Sequence, residues 1–339
     1  MTIPCTLSVR IEHWPLAAPF HVSGHTVDAA RVLVVALRSG QHRGRGEAAG
    51  VYYRAETPEN MAEQIAAVRP QIERGISREA LIGLLPAGGA RNAVDAAMWS
   101  LAAQRCGMTV ARLAGRARLR PLRTTFTVGV DTAPAMAEAA RGYEGAVALK
   151  IKLDGNAADA DRLLAIRAAC PSVALSVDAN QGWTQDHMRQ MLPVMQHVGI
   201  DLLEQPLPVG EDECLESMRY PIRLAADESF QDLDDLASVA RRYDVVNVKL
   251  DKCGGLTRAL SLVSAIRERG RSVMVGCMPC TSLGVAPAYI LGQLCDRIDL
   301  DGPCFLAEDR TPSFQYRDGY LFGPESPWGR DDALQHEAH

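Results

Sequence analysis

From about Arg123 onward the chain settles into a rhythm that few folds accommodate. Eight short apolar runs recur: Thr124–Val128, Val147–Lys152, Val173–Val177, Ile200–Leu203, Arg223–Ala225, Val245–Lys249, Ser272–Val275 and Arg297–Leu300. Stretches of helical period separate most of them, among them Ala157–Ala169, Thr184–His197 and Leu256–Glu268. Strand–helix–strand repetition builds parallel units. Eight such units predict a (β/α)8-type barrel, whose reactive side chains gather at the C-terminal strand ends.

The residues before this rhythm follow another plan. Thr6–Ile11 alternates, Arg31–Leu37 reads as a strong strand, and Arg43–Glu47 can pair with it across Ser39-Gly40. A loop is expected over Ala17–Ala29. Helical period then takes over in Thr57–Ile72, with Thr57 as N-cap, and in the small-residue stretch Ala90–Cys106. The expected division is an α+β unit over residues 1–120, a barrel over 121–305, and a tail, 306–339, that returns to the first unit or wraps the barrel.

Composition excludes some functions. A net charge of −5 gives no electrostatic case for nucleic acid or an anionic membrane as partner. No apolar run is long enough to span a bilayer. The N-terminal residues alternate like a strand and lack the basic and apolar regions of a signal peptide, so a cytoplasmic location is expected. Nine scattered cysteines do not form a disulfide framework. Cys277 and Cys280 make a lone C-x-x-C, to be read as a redox couple, half a zinc site, or small buried residues after a strand.

Polar residues recur at the ends of successive runs. Lys150 and Lys152 close the second, Asp178 follows the third, Glu204 the fourth, Asp227 the fifth, and Lys249 closes the sixth. In a closed barrel these ends share one mouth. Each carboxylate alone reads equally as an N-cap of the next helix. Three together repel unless a cation binds, and an all-oxygen set suits Mg2+ or Mn2+. The two lysines of the K-x-K project from one face of their strand. An edge strand with two solvated lysines would explain them too. If buried, each raises the cost of charging the other, so at least one should have a lowered pKa. Lysines on either side of an ion-bound carboxylate give a two-base arrangement that inverts a stereocentre.

These motifs in this order (Lys150-x-Lys152, DANQGW at Asp178, EQP at Glu204, DES at Asp227 and NVKLDKCGG at Lys249) resemble the enolase superfamily, and within it the muconate-lactonizing subgroup. The resemblance extends to PAGGARNAVDAAMWSLAA before the barrel. It implies a (β/α)7β barrel with an N-terminal α+β capping domain, one Mg2+ per subunit, Lys152 and Lys249 as acid/base pair, and Lys150 as electrostatic support. Superfamily members are often oligomeric, which implies a homo-oligomer here. Asp299-Leu300-Asp301 after the last strand resembles the D-x-D of dipeptide epimerases, whose aspartates hold the substrate's α-ammonium. GCMPCTSLG (276–284) resembles the proteobacterial L-Ala-D/L-Glu epimerases, which adds Cys277 and Met278 as substrate contacts.

One segment departs from that pattern. Glutamate-specific members carry an arginine in the loop between the first two strands, whereas this loop reads PFHVSGHTVDAAR. His25 stands near the matching position and, when protonated, is the candidate substrate contact there, though it is no bidentate clamp. The expectation is a Mg2+-dependent epimerase of L-Ala-D/L-Xaa dipeptides, with a small dipeptide as substrate and neither nucleic acid nor membrane as partner. N-acylamino acid racemase and o-succinylbenzoate synthase are the rivals within the superfamily. A Schiff-base aldolase with Lys249 as nucleophile is the rival from another enzyme class, and a non-catalytic binding barrel is the third alternative.

Overall fold

The computed structural model describes residues 3–22, 25–116, 118–324 and 328–329. Strands β1 (Thr6–Val22), β2 (His25–Ser39) and β3 (His42–Ala48) form an antiparallel sheet in that order. The expected loop over Ala17–Ala29 is largely strand: Phe20 pairs with Val27, after a register shift between Pro15 and Phe20. Pro15 and Pro19 lack the N–H a regular ladder needs, so the shift absorbs them and pairing resumes beyond. Four helices follow: α1 (Pro58–Glu73), α2 (Arg78–Leu84), α3 (Gly89–Arg105) and α4 (Val110–Leu113). Thr57 caps α1 in a reciprocal box with Asn60.

Helix α3 lies directly on β3 because both surfaces are small. A Cβ at Gly44 would sit 2.2 Å from the Ala97 carbonyl, and one at Gly46 would sit 2.2 Å from that of Ala93. Another face of α3 ties this unit to the barrel. Arg91 donates to the carbonyls of Cys253 and Gly254, Asn92 donates to Asp251, and Asp95 accepts from Thr257.

After the short β4 (Leu122–Arg123) comes the barrel. It runs β5 (Phe126–Val128), α5 (Ala133–Gly142), β6 (Ala148–Lys152), α6 (Asp159–Ala169), β7 (Ala174–Asp178), α7 (Gln185–Val198), β8 (Ile200–Glu204), β9 (Arg223–Ala226), α8 (Leu236–Arg242), β10 (Val245–Lys249), α9 (Leu250–Cys253), α10 (Leu256–Glu268), β11 (Ser272–Gly276), α11 (Ser282–Gly292) and β12 (Arg297–Asp299). The parallel sheet runs β12-β11-β10-β9-β8-β7-β6-β5. Across the seam between its end strands, the Thr125 N–H donates to the Ile298 carbonyl at 3.0 Å. Among the described residues, the β8–β9 crossover holds a 3-10 turn, Asp212–Glu216, where the resemblance implied a helix. Leu149, Ile151, Leu175, Val177, Leu203, Val246, Val248 and Val273 are fully buried in the core that the barrel shares with its helices.

In the tail, strand β13 (Gln315–Arg317) pairs with β14 (Tyr320–Phe322), which pairs in turn with β4, while Arg310 bonds Glu12 and Glu47 of the N-terminal sheet.

Candidate active site

Lys152, Asp178, Glu204, Lys249 and Asp299 are each the last residue of their strands, β6, β7, β8, β10 and β12, and Asp227 directly follows β9. Parallel register puts these ends level: Lys152 pairs with Asp178, and Asp178 with Glu204. In an eight-stranded barrel, β6 and β10 stand four strands apart, on opposite walls. The lysines therefore face each other. The three carboxylates occupy the half-ring between them, and Asp299 and Asp301 lie on the other half.

All these side chains are buried. Ligand oxygens of Asp178, Glu204 and Asp227 lie within 4.8 Å of one another. Lys152 Nζ donates to Asp178 Oδ2 at 2.6 Å and to Asn180 Oδ1 at 2.8 Å. Lys249 Nζ donates to Asp227 Oδ2 at 2.6 Å. Lys150 Nζ bonds Asp299 Oδ2 and lies 3.6 Å from Asp178 and 3.7 Å from Glu204. Asp301 Oδ2 accepts from the Thr127 N–H at 2.7 Å. Cys277 lines the same cavity and its thiol donates to the Asp299 carbonyl. Met278 also lines it, and Tyr52 and Tyr53 of the N-terminal unit cover it. The side chain of His25 lies outside the described residues.

The sequence predicts a lowered pKa for at least one lysine of the K-x-K, but Lys150 is shifted the other way, and so is Lys249 across the mouth. Burial lowers both, but Asp299, Glu204 and Asp178 around Lys150, and Asp227 and Glu204 around Lys249, outweigh it and hold both well above the usual lysine value. The sequence argument counted only the lysine pair, whereas the fold surrounds it with acids. Burial also opposes ionisation of Asp227, yet Lys249 and then Lys252 hold it far below the carboxylate range. Glu204 goes the other way: burial and the Asp178 charge push it up to about 7.

The residues fit a divalent cation. Glu204 Oε2 is buried and has no hydrogen-bond partner, and the donors are all hard oxygens. Asp178, Glu204 and Asp227 would hold Mg2+.

Four residues here escaped the sequence reading. Lys252 Nζ donates to Asp227 Oδ1 and to the Asp227 carbonyl, both at 2.6 Å. Asn247 Nδ2 holds Glu204 Oε1 at 2.7 Å. Gln205 Oε1 accepts from the N–H groups of Asp227 and Ser229, and Asn180 bridges Lys152 to Glu228. Each lies inside a motif already quoted, so the signal was present. What was absent was any indication of which neighbouring strand each side chain reaches.

Comparison with known proteins fixes the family. Residues 5–115 match the mandelate racemase / muconate lactonizing enzyme N-terminal domain, and residues 134–327 match the enolase C-terminal domain-like family. An L-Ala-D/L-Glu epimerase of Escherichia coli (strain K12) is 40% identical over 93% of this chain and 99% of its own. An N-acetyl-D-glutamate racemase of Pseudoalteromonas sp is 41% identical over 74% of this chain and 79% of its own. Among solved structures, an Agrobacterium tumefaciens enolase family member with homology to dipeptide epimerases, holding sodium and L-Ala-L-Glu, superposes with a TM-score of 0.92 at 38% identity, covering 96% of this chain and 99% of that one. A dipeptide epimerase from Methylococcus capsulatus, complexed with Mg and L-Arg-D-Lys, gives 0.88 at 28% identity, with coverage of 96% and 99%. The chain belongs to the enolase superfamily.

Proposed function

We propose that this enolase-superfamily member is a dipeptide epimerase, inverting the α-carbon of the C-terminal residue of an L-Ala-D/L-Xaa dipeptide. The observation that carries the reading is the division of the barrel mouth. Acids that would hold a cation line one half-ring, a second acidic pair lines the other, and two lysines face each other between them. A dipeptide has matching parts: a terminal carboxylate, an α-proton beside it, and an ammonium group at the far end.

Bound Mg2+ would supply a Lewis acid for the substrate carboxylate and so acidify the α-proton. Lys152 and Lys249 exchange that proton from opposite faces: whichever is neutral removes it, and the other, as ammonium, returns one to the opposite face. The fixed charge of Lys150 stabilises the negative charge that develops between them. Asp299 and Asp301 bind the ammonium of the first residue. Asp299 Oδ1 is buried without a partner, an acceptor suited to a cationic donor. Tyr52 and Tyr53 line the cavity from the N-terminal unit.

Such a reaction belongs to the metabolism of peptides containing D-amino acids, of which murein peptides are the nearest source. A reducing, cytoplasmic setting agrees with nine cysteines that are all free thiols.

The test uses L-Ala-L-Glu, L-Ala-D-Glu and other L-Ala-L-Xaa dipeptides in D2O with Mg2+, followed by mass spectrometry. Epimerisation with deuterium at the α-carbon is expected. Binding without exchange, or borohydride trapping of Lys249 with indifference to EDTA, refutes it. The resemblance to the N-acetyl-D-glutamate racemase supports a second reading, racemisation of N-acylamino acids. Asp301→Asn separates the two: the dipeptide reading expects selective loss on the free amine, and equal activity on free and N-acetylated substrates favours the racemase.

A further inference from the structure

We infer that Asn180 is a positioning residue for Lys152, with its carboxamide locked by Glu228, and that it serves one of the two half-reactions only. The inference rests on the two-base reading above.

A neutral lysine acting as base has two N–H bonds and one lone pair, arranged tetrahedrally with the Cε bond. Lys152 Nζ has two fixed acceptors, Asp178 Oδ2 at 2.6 Å and Asn180 Oδ1 at 2.8 Å. With one N–H directed to each, a single direction remains. That direction carries the lone pair when Lys152 takes a proton and the third N–H when it gives one back. Two acceptors therefore aim the reactive position, whereas one would leave the head group free to rotate about Cε–Nζ. Lys249 differs: its one hydrogen-bond acceptor among the described residues is Asp227 Oδ2.

Asn180 can perform this task only with its oxygen toward Lys152, since a reversed amide would set its NH2 group against the lysine N–H bonds. Glu228 fixes the orientation. Asn180 Nδ2 donates to Glu228 Oε1 at 3.1 Å, an arrangement that leaves Oδ1 turned toward Lys152. The backbone is also constrained. Asn180 has φ of 42°, in the left-handed region, and its N–H donates to Asp178 Oδ1 at 2.9 Å. Strain of this kind persists where the surroundings over-determine it, and it clusters at functional sites. Asn180 and Glu228 both line the cavity shared by the two lysines. Glu228 is 3% exposed, and its second oxygen has no partner. The sequence offers the same pairing: Asn180 is the N of DANQGW and Glu228 the E of DES.

A residue that merely stabilises the fold or the cation site would affect both substrate epimers alike. A residue that aims Lys152 affects only the epimer whose α-proton faces Lys152. Asn180→Gly is the variant of choice because glycine adopts φ of 42° without strain. Asn180→Leu, which fills the same space without an acceptor, serves as the second variant. Each is incubated with L-Ala-L-Glu and, separately, L-Ala-D-Glu in D2O, and the initial rate of α-deuterium incorporation is measured alongside Lys152→Ala and Lys249→Ala.

The lysine variants should each abolish exchange from one epimer, in complementary fashion. Against that reference, Asn180→Gly should slow exchange of the Lys152-dependent epimer by about 10- to 100-fold, the scale of a misplaced catalytic group. The other epimer should change by less than about threefold. Equal losses with both epimers, or no loss with either, overturn the assignment of Asn180. If the lysine variants fail to divide the epimers, the two-base reading itself falls, an outcome distinct from failure of the Asn180 inference.

Discussion

Asp251 allows a quantitative test of how the N-terminal unit docks on the barrel. It lies two residues beyond Lys249, is buried, and accepts from Asn92 Nδ2 at 3.2 Å and from the Gly50 N–H at 3.4 Å. Gly50 immediately precedes the segment carrying Tyr52 and Tyr53. Burial foremost, with Glu56 and Glu47 adding repulsion, pushes Asp251 up to about 7. In the unfolded chain it titrates near 3.9. Between those values the folded state binds the extra proton, so stability falls as pH rises. The favourable contribution is complete below about pH 4 and is lost on approaching pH 7. Each pH unit in that window is worth about 1.4 kcal/mol. Asp251→Asn keeps an acceptor for both donors and removes the titration. Its stability relative to the native protein should therefore rise by about 3 kcal/mol between pH 5 and pH 8. Urea unfolding with saturating Mg2+ at both pH values measures this, because the other titrating groups are common to the two proteins. A difference that stays constant across the range refutes the placement of an ionisable Asp251 in a dry interface.

Other perturbations have equally definite outcomes. Gly46→Ala puts a methyl group 2.2 Å from the Ala93 carbonyl and should cost about 3 kcal/mol or more in urea unfolding, since β3 and α3 must move apart. Gln205→Leu removes the acceptor that fixes the Asp227 and Ser229 N–H groups, so Mn2+ affinity measured by EPR should weaken about 10- to 100-fold while the protein stays folded. EDTA should abolish exchange of both epimers, and Mg2+ should restore it. Glu204→Gln should weaken Mn2+ binding without removing the Asn247 contact, as the amide oxygen can still accept from Asn247 Nδ2.

Much of the molecule was legible in the chain because its signals are local. A buried parallel strand is a short apolar run, and the barrel fixes which end of the run faces the mouth. Lys152, Asp178, Glu204 and Lys249 could therefore be placed by counting along the repeat, before any contact was known. The small residues of α3 likewise foretold close packing, which Gly44 and Gly46 accommodate. The boundary between β1 and β2 was harder. Pro19, Ser23 and Gly24 read as a loop over Ala17–Ala29, yet cross-strand pairing carries both strands through much of that segment.

Tertiary structure decided what depends on neighbours remote in sequence. The sequence set Lys150 beside Lys152 and suggested mutual repulsion, but Asp299, 149 residues away, pairs with Lys150 and reverses the sign of its shift. Asn180 and Glu228 are ordinary motif letters until β7 and β9 bring them into contact. Which residues stand at the mouth follows from strand period and repeat length, properties of a single segment. Proton affinity and head-group orientation follow from the sum of charges and acceptors within a few ångströms, and only the closed barrel assembles that sum.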